Sequence, residues 1–340
     1  MGESTWSTPS GTPSAALRQC LLAATAAPSI HNTQPWLFRL RRDPAGAVDA
    51  VDVLVDRHRQ LRTIDPFGRE MFVSVGAAVF NLRVAVRAHG RQARVRLTPD
   101  PAEPDLAATV TIGEAAPSLS AANALAEAIP HRHTNRRPFA DKPVPYGTME
   151  ELSAAAVAEG AMLLVTDPPL RDGVLSLTRT AEDRMRTDPR YRAELAAWTT
   201  PGGVGRRDGV PRQAFGPRDR NTALPLRDLA LGQGAPTAVV TFEPDPTVVL
   251  LFTPGDEPAD WLRAGAALQR VLLTGTIRGL AATPLSQLTE IQALRRLLAD
   301  TATGYVVQTV LRIGYPTTAA LPTPRRPVED VLVQPSRTPE

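Results

Sequence analysis

The sequence predicts an α+β protein whose two related halves pack as an internal pseudo-dimer, with long core helices beside a mixed or antiparallel sheet. Three observations point there. Residues 69–89 and 258–278 carry apolar side chains every three or four positions, the period of a buried helix face. Short runs between helices, such as "WLFRL" (36–40) and "VDVLVD" (51–56), alternate as strands do. "GAAVFNLRVAVRAHG" (76–90) and "GAALQRVLLTGTIRG" (265–279) share an opening Gly-Ala-Ala, an apolar face and a closing Gly at equal spacing. Small residues at the start of both stretches permit close helix–helix approach.

Along the chain, residues 1–13 read as a disordered tail. Ser14 caps a helix over 14–26, with Leu17, Leu21 and Leu22 on one face, and Pro28 ends it. Strands at 36–40 and 51–56 precede the long helix 69–89. Strands at 93–98 and 107–112 and a helix at 119–128 complete a first half, 14–130. The second half, 131–340, begins with "HRHTNRRPF" (131–139) and continues as a helix at 147–158, a strand at 161–166 and a helical region at 168–198. Residues 199–224 have no periodicity and are rich in Gly, Pro and Arg; a loop of that length inside a compact chain reads as a functional segment such as a lid. A short helix near 225–231, strands at 237–242 and 247–252, helices at 258–278 and 288–299, a strand at 305–313 and a Pro-rich tail finish the chain.

Composition narrows the function. With 43% hydrophobic residues the chain buries a sizeable core. Its net charge of +3 rests on arginine, since Lys142 is the only lysine, and acidic residues are mixed in throughout. That pattern lacks the concentrated basic stripe of a nucleic-acid binder. No apolar run reaches the length of a membrane span and no targeting signal opens the chain, so no membrane association is expected. Cys20 is the single cysteine, so an intrachain disulfide is impossible and a reducing cytoplasm is the expected compartment. There is no phosphate-binding P-loop. "GGVGRRDG" has the wrong glycine spacing for a dinucleotide loop, Ser74 in "FVSVG" lacks the first glycine of a nucleophile elbow, and His131 and His133 lack partners for a metal.

Three segments remain that could carry chemistry. "AAPSIHNTQPW" (26–36) follows a helix and packs polar and turn-forming residues into a few positions, with Trp36 read as core. "HRHTNRRPF" offers planar guanidiniums for bidentate anion capture, with Thr134 and Asn135 as neutral donors. "LPTPRRPVEDV" (321–331) leaves what reads as the buried strand "VLRIGYP" and supplies a second arginine pair, so two clusters could converge on one phosphate.

Together, "APSIHNTQPW", "RHTNRRPF", the Gly-Ala-Ala helix ending in "RGL" and "RIGYP…PRRPVEDV" resemble the flavin-dependent nitroreductase family, and most closely its Acg-type subfamily, in which two such halves are fused. The resemblance runs from about residue 15 to 333. It implies a nitroreductase-like fold and an FMN site. The turn lying against the flavin ring would map to Pro28, Ser29, Asn32 and Gln34, with Ile30 and His31 in the variable slots. The segment holding phosphate and ribityl chain would map to Arg132, Thr134 and Arg136, with His133 between them. Arg325 or Arg326 would meet the phosphate, and Ser286 and Gln287 would approach the reactive edge of the ring. Asn and Gln side chains offer both a donor and an acceptor, which suits a flavin edge.

The arginine segment and the P-S-x-x-N turn each occur once, so one complete FMN site per chain is expected, built from both halves, in a monomer that mimics a dimer. The implied activity is electron transfer from NAD(P)H through FMN to a nitro compound, quinone or similar small acceptor. The implied alternatives are an FMN-sequestering or storage protein and a biosynthetic flavin oxidase or dehydrogenase. The 199–224 segment resembles the subfamily's lid, which would keep a pyridine nucleotide from stacking on the ring. No acid–base residue is assigned, because the flavin itself would carry the chemistry.

Overall fold

The computed structural model describes residues 13–98, 100–199, 206–231, 238–299 and 304–333. Apart from Pro13, the expected disordered tail lies outside the described residues. Helix α1 (Ala15–Thr25) starts where the Ser14 side chain accepts a hydrogen bond from Leu17 N at 3.3 Å. Leu17, Cys20, Leu21 and Ala24 face the core. Leu22 does not: it lies about 100° round the helix from Leu21 and is 42% exposed.

Strands β1 (Trp36–Arg42) and β2 (Val48–Val55) pair antiparallel, with Trp36 fully buried opposite Val55. Helix α2 (Arg69–Ala88) follows a left-handed Gly68, φ 79°. The Asp65 carboxylate caps its start, accepting from Glu70 N at 3.1 Å and Met71 N at 2.9 Å. This helix is long and apolar enough to cross a membrane, yet 17 of its 20 residues are buried against protein. Strands β3 (Arg91–Leu97) and β4 (Leu106–Ala115) and helix α3 (Ser120–Ala128) follow as expected, then α4 (Tyr146–Val157) and β5 (Met162–Val165).

The helical region expected over 168–198 is two helices, α5 (Pro168–Thr187) and α6 (Pro189–Thr199). Asp188 precedes a proline and is extended, ψ 116°, which breaks the run. Next come the two-residue strands β6 (Arg218–Asp219) and β7 (Val239–Val240); the latter is all that forms of the strand expected at 237–242, whose residue 237 lies outside the described residues. The helix expected near 225–231 is a series of tight turns. Asp228 N donates to the Glu182 carboxylate at 3.1 Å instead of to a helical carbonyl, and Arg227 points into the interior.

Strand β8 (Thr247–Thr253), helix α7 (Pro258–Ile277) and strand β9 (Ala281–Pro284) lead to two four-residue helices, α8 (Gln287–Glu290) and α9 (Gln292–Arg295). These replace the single helix expected over 288–299, because Ile291 between them is extended (ψ 101°). Strands β10 (Val306–Gly314) and β11 (Leu332–Val333) close the described chain.

Two sheets result. The first has the order β11-β1-β2-β4-β3 and the second β5-β8-β10-β9. All their pairings are antiparallel except β1 with β11, so the first sheet is mixed. Between the sheets lie α2 and α7, crossing at the glycines that open the repeated stretches. A methyl on Gly76 would overlap the Leu262 carbonyl oxygen, and one on Gly265 would overlap the Val73 carbonyl oxygen. Phe72 meets Trp261 and, farther along, Asn81 meets Gln269, so residue numbers rise together along both helices and the pair runs parallel. Exchanging the helices exchanges these contacts, as in an isologous interface. Phe72 and Trp261, each four residues before its glycine, meet with ring centroids 5.9 Å apart. Leu262 of α7 packs in the core of the first sheet, and Val73 of α2 in the core of the second.

Candidate functional site

The turn after α1 has unusual backbone geometry. His31, Asn32 and Gln34 take φ of 44°, 55° and 51°, a region that non-glycine residues enter at an energetic cost. A dense set of hydrogen bonds holds them there. Gln34 N donates to Ser29 Oγ at 3.0 Å, and Ile30 N to Ser74 Oγ on α2 at 3.2 Å. Asn32 Nδ2 donates to the carbonyls of Gly209 (2.9 Å) and Pro324 (3.1 Å), and Asn32 Oδ1 accepts from Arg325 at 2.9 Å. Gln34 Nε2 donates to Arg207 O at 2.8 Å, and Gln34 Oε1 accepts from Arg326 N at 2.8 Å. The two amides therefore tie the turn to residues 207–209 and to the tail.

Beside the turn lies a cleft of about 100 Å³. Pro28, Ser29, Ile30 and His31 form one wall, and Glu70, Ser74 and Ala77 of α2 another. Thr134, Arg136, Pro284 and Ser286 come from the opposite side. Thr134 is placed by a parallel bridge to Ala282 on β9, and Asn135 N donates to Ala282 O at 3.0 Å.

From the segment 206–231, Arg227 and Leu229 line the same cleft. Gly216 sits so close to Arg136 that a side chain there would come within 2.6 Å of Arg136 Cβ, and Arg136 donates to Ala214 O at 3.0 Å. Arg227 reaches inward, donating to Tyr191 OH (2.9 Å), to both oxygens of Glu290 (2.6 Å each) and to Ser286 Oγ (3.3 Å). Burial opposes the Arg227 charge, but the Glu290 carboxylate and the Tyr191 and Glu182 side chains outweigh it and raise its pKa.

Three other guanidiniums are wholly or partly buried without a carboxylate partner among the described residues. Arg132 is 5% exposed, its Nε has no partner, and burial with the nearby Arg325 charge pushes its pKa down to about 9. Burial and Arg227 push Arg136 down to about 10, and burial pushes Arg325 down to about 10. Arg132 and His133 line a smaller hollow beside α7, next to the cleft. His133 titrates below the usual histidine range because of burial and the charges of Arg132 and Arg325.

The sequence-predicted residues thus fall into three groups. Pro28, Ser29, Ile30, His31, Thr134, Arg136 and Ser286 line one cleft. Arg132 and His133, with Arg325 close by, form an adjoining cationic site. Asn32, Gln34, Gln287 and Arg326 turn to other parts of the chain: Gln287 Nε2 donates to Pro225 O at 3.1 Å, and Arg326 lies 3.8 Å from Asp56. Sequence reasoning missed Glu70, Ser74, Arg227 and Glu290. Glu70 and Ser74 look like ordinary positions of a long helix, and Arg227 lies in "PLRDLAL", which reads as a short helix.

No family model matches the chain. Among curated proteins of Mycobacterium tuberculosis, "Putative NAD(P)H nitroreductase Rv3131" is 35% identical over 326 residues, covering 94% of this chain and 91% of that one. "Putative NAD(P)H nitroreductase acg" is 30% identical over 326 residues, covering 93% and 95%. "Uncharacterized protein Rv3127" is 33% identical over 330 residues, covering 95% and 94%. Among solved structures, the FMN-dependent nitroreductase NfnB of Mycobacterium smegmatis in complex with NADPH matches with a TM-score of 0.38 at 18% identity, covering 64% of this chain and 100% of that one.

Proposed function

Because the chain belongs to the nitroreductase family, in its Acg-type branch, we propose that it binds FMN and passes electrons from NAD(P)H to a nitro compound, a quinone or a similar small acceptor. The observation that carries this reading is the set of buried guanidiniums. A buried cation without a counter-ion is destabilising by several kcal/mol, and Arg132, Arg136 and Arg325 are three of them around one turn. A phosphomonoester supplies the missing charge, with Arg132, Arg325 and His133 as its cradle. When bound, FMN would supply the hydride and electron chemistry.

The other roles follow from position. Pro28, Ser29 and Ile30 form the wall for the ring, with His31 facing the space beside it, Thr134 and Arg136 its polar side, and Ser286 offers a hydroxyl at its edge. Asn32, Gln34, Gln287 and Arg326 act as positioning residues, holding the turn, the 206–231 segment and the tail. The halves 14–130 and 131–340 form one site between them, and the reciprocal contact at Gly76 and Gly265 supports reading the chain as a monomer that mimics a dimer.

The cleft of about 100 Å³ is smaller than the roughly 300–1,000 Å³ of most small-molecule sites. Arg227 and Leu229 of the 206–231 segment line it. Residues 206–231 therefore act as a lid that must lift for the ring to enter; positions 200–205 of the expected lid lie outside the described residues. That closure also favours a second reading, in which the protein sequesters FMN with little NAD(P)H turnover. Mixing the FMN-loaded protein with NADPH without oxygen separates the two. Bleaching of the flavin band, restored by a quinone, is the outcome expected for the enzyme. A band that only dithionite bleaches identifies the sequestering protein, and a protein that retains no FMN rejects both.

A further inference from the structure

His31 is the only histidine, among the described residues, with both ring nitrogens buried and unpartnered. It is 8% exposed and lines the cleft. Leaving a polar group buried and unsatisfied costs about 1–3 kcal/mol. Its positive φ adds backbone strain. Nothing in the packing of the turn needs an imidazole there, since the hydrogen bonds that hold the turn run through Ser29, Asn32 and Gln34.

The surroundings of His31 show which end of the site it occupies. The charges that act on it are Arg227, from the 206–231 segment, and Arg136. Glu70 of α2 lines the same cleft, and Glu290 of α8 holds Arg227 from behind. Arg132 and His133, of the phosphate cradle, line the separate smaller hollow instead. Burial and the two guanidiniums keep its pKa well below the usual value, so at neutral pH the ring is uncharged, with one N–H donor. That donor stands under the lid, where a second substrate would enter.

We propose that His31 is a catalytic residue of the oxidative half-reaction, its ring N–H donating a hydrogen bond to the acceptor oxygen that gains negative charge, so that the site selects acceptors that take up electrons at oxygen. The proposal rests on the FMN reading above. The acceptor class is the nitroarene or quinone, not an outer-sphere oxidant. A quinone takes up two electrons and two protons to become a hydroquinone. A nitro group takes up the same to become a nitroso group and water. The electrons and one proton come from NAD(P)H by way of the cofactor, and the second proton comes from water. His31 keeps its own proton throughout; its hydrogen bond strengthens as charge builds on oxygen.

The test compares wild type, His31→Phe and His31→Gln, each loaded with FMN and reduced by dithionite under anaerobic conditions. Each is then mixed with a quinone, a nitroarene or ferricyanide. Reoxidation of the Phe variant by quinone and nitroarene is expected to slow about 100-fold. Reoxidation by ferricyanide, which takes electrons without bonding at oxygen, is expected to stay at the wild-type rate. The Gln variant, which keeps an N–H donor, should recover most of the lost rate. Equal quinone rates in wild type and the Phe variant overturn the proposal. So does an equal slowing with ferricyanide, or a shift of the flavin spectrum in the Phe variant, since either places His31 on the cofactor. If wild type itself retains no FMN, the parent reading falls first. Matching circular dichroism and melting of the two variants shows that both are folded.

Discussion

Arg132 and Arg325 sit close together and carry the same charge, yet their neighbours assign them opposite effects on stability. Arg132 has no carboxylate partner and an unpartnered Nε. Its pKa falls from the ordinary arginine range to about 9 in the folded state, through burial and then Arg325. The folded state therefore holds that proton less tightly than the unfolded chain. The resulting penalty is present in full below about pH 9 and fades as pH rises from there towards the ordinary arginine range. Arg132→Met is thus expected to raise the stability of the FMN-free protein at pH 7 by about 1–4 kcal/mol while abolishing tight FMN binding. Burial pushes Arg325 down to about 10, a penalty of the same sign, but Arg325 offsets it by donating to Asn32 Oδ1 at 2.9 Å, Thr323 Oγ1 at 2.6 Å and the Ala26 and Ala27 carbonyls at the end of α1. Arg325→Met is expected to lower the stability of the same FMN-free protein by about 1–3 kcal/mol. Thermal melts of both variants with and without FMN decide this. If Arg132→Met melts below wild type without ligand, Arg132 is a structural residue and the anion site is wrong. The same neighbourhood shows what a sequence reveals about a site. "RHTNRR" and "PRRP" mark cations, and their types suffice to suggest an anion. Which arginine bonds to carbonyls and which stays unpaired depends on partners 100 or more positions away, such as Asn32 for Arg325.

At the scale of elements, the two central helices were legible because both carry a full apolar period and the same Gly-Ala-Ala opening. The close approach this allows becomes an expectation: Gly265→Ala should destabilise the protein by about 3 kcal/mol or more, since the new methyl would meet backbone rather than a side chain that can swing aside. Urea unfolding measures it, and a loss under about 1 kcal/mol would show that the helices slide apart freely. The N-terminus of α2 adds a pH effect. Burial, then the charge of Glu70, pushes the Asp65 carboxyl up from 3.8 to about 7. A raised acid binds more protons folded than unfolded between those values, so stability should fall as pH rises from about 4 to 7. Asp65→Asn, which retains an acceptor for the α2 cap, should flatten that slope; an unchanged slope would assign it to another group. The elements that sequence reasoning missed are short or set by tertiary contacts. β9 has four residues and β11 two, too few for a period to show. The turns at 225–231 and the break at Ile291 flank the Arg227–Glu290 pair, which no local pattern announces.

At the scale of the whole molecule, neither half is closed without the other. β1 takes its parallel partner β11 from the far end of the chain, through Phe38↔Leu332 and Arg39↔Val333. Val328 and Val331 of that tail are buried in the first core. α2 loses its cover if α7 is removed, and Asn81 Oδ1 loses the buried hydrogen bond from Gln269 Nε2 at 2.7 Å. Conversely, Val73 of α2 belongs to the second core, beside Ala264, Ala267 and Leu268. A fragment of residues 14–130 would therefore expose a long apolar helix face and an open edge of β1 to water, at about 25 cal/mol for each Å² of apolar surface left uncovered. Such a fragment is expected to keep part of its secondary structure while losing fixed side-chain packing, with retained far-ultraviolet and lost near-ultraviolet circular dichroism. Mixing it with a fragment of residues 131–340 should restore near-ultraviolet signal, with a midpoint that rises with concentration as two chains re-form one interface. The cofactor supplies an independent reading of the same event, because Pro28–Ile30 come from one fragment and Arg132, Arg136, Ser286 and Arg325 from the other. FMN is expected to bind the mixture and neither fragment alone. If fragment 14–130 shows native near-ultraviolet dichroism and a sharp melting transition by itself, the first half is an autonomous domain and the buried surface of α2 has another role.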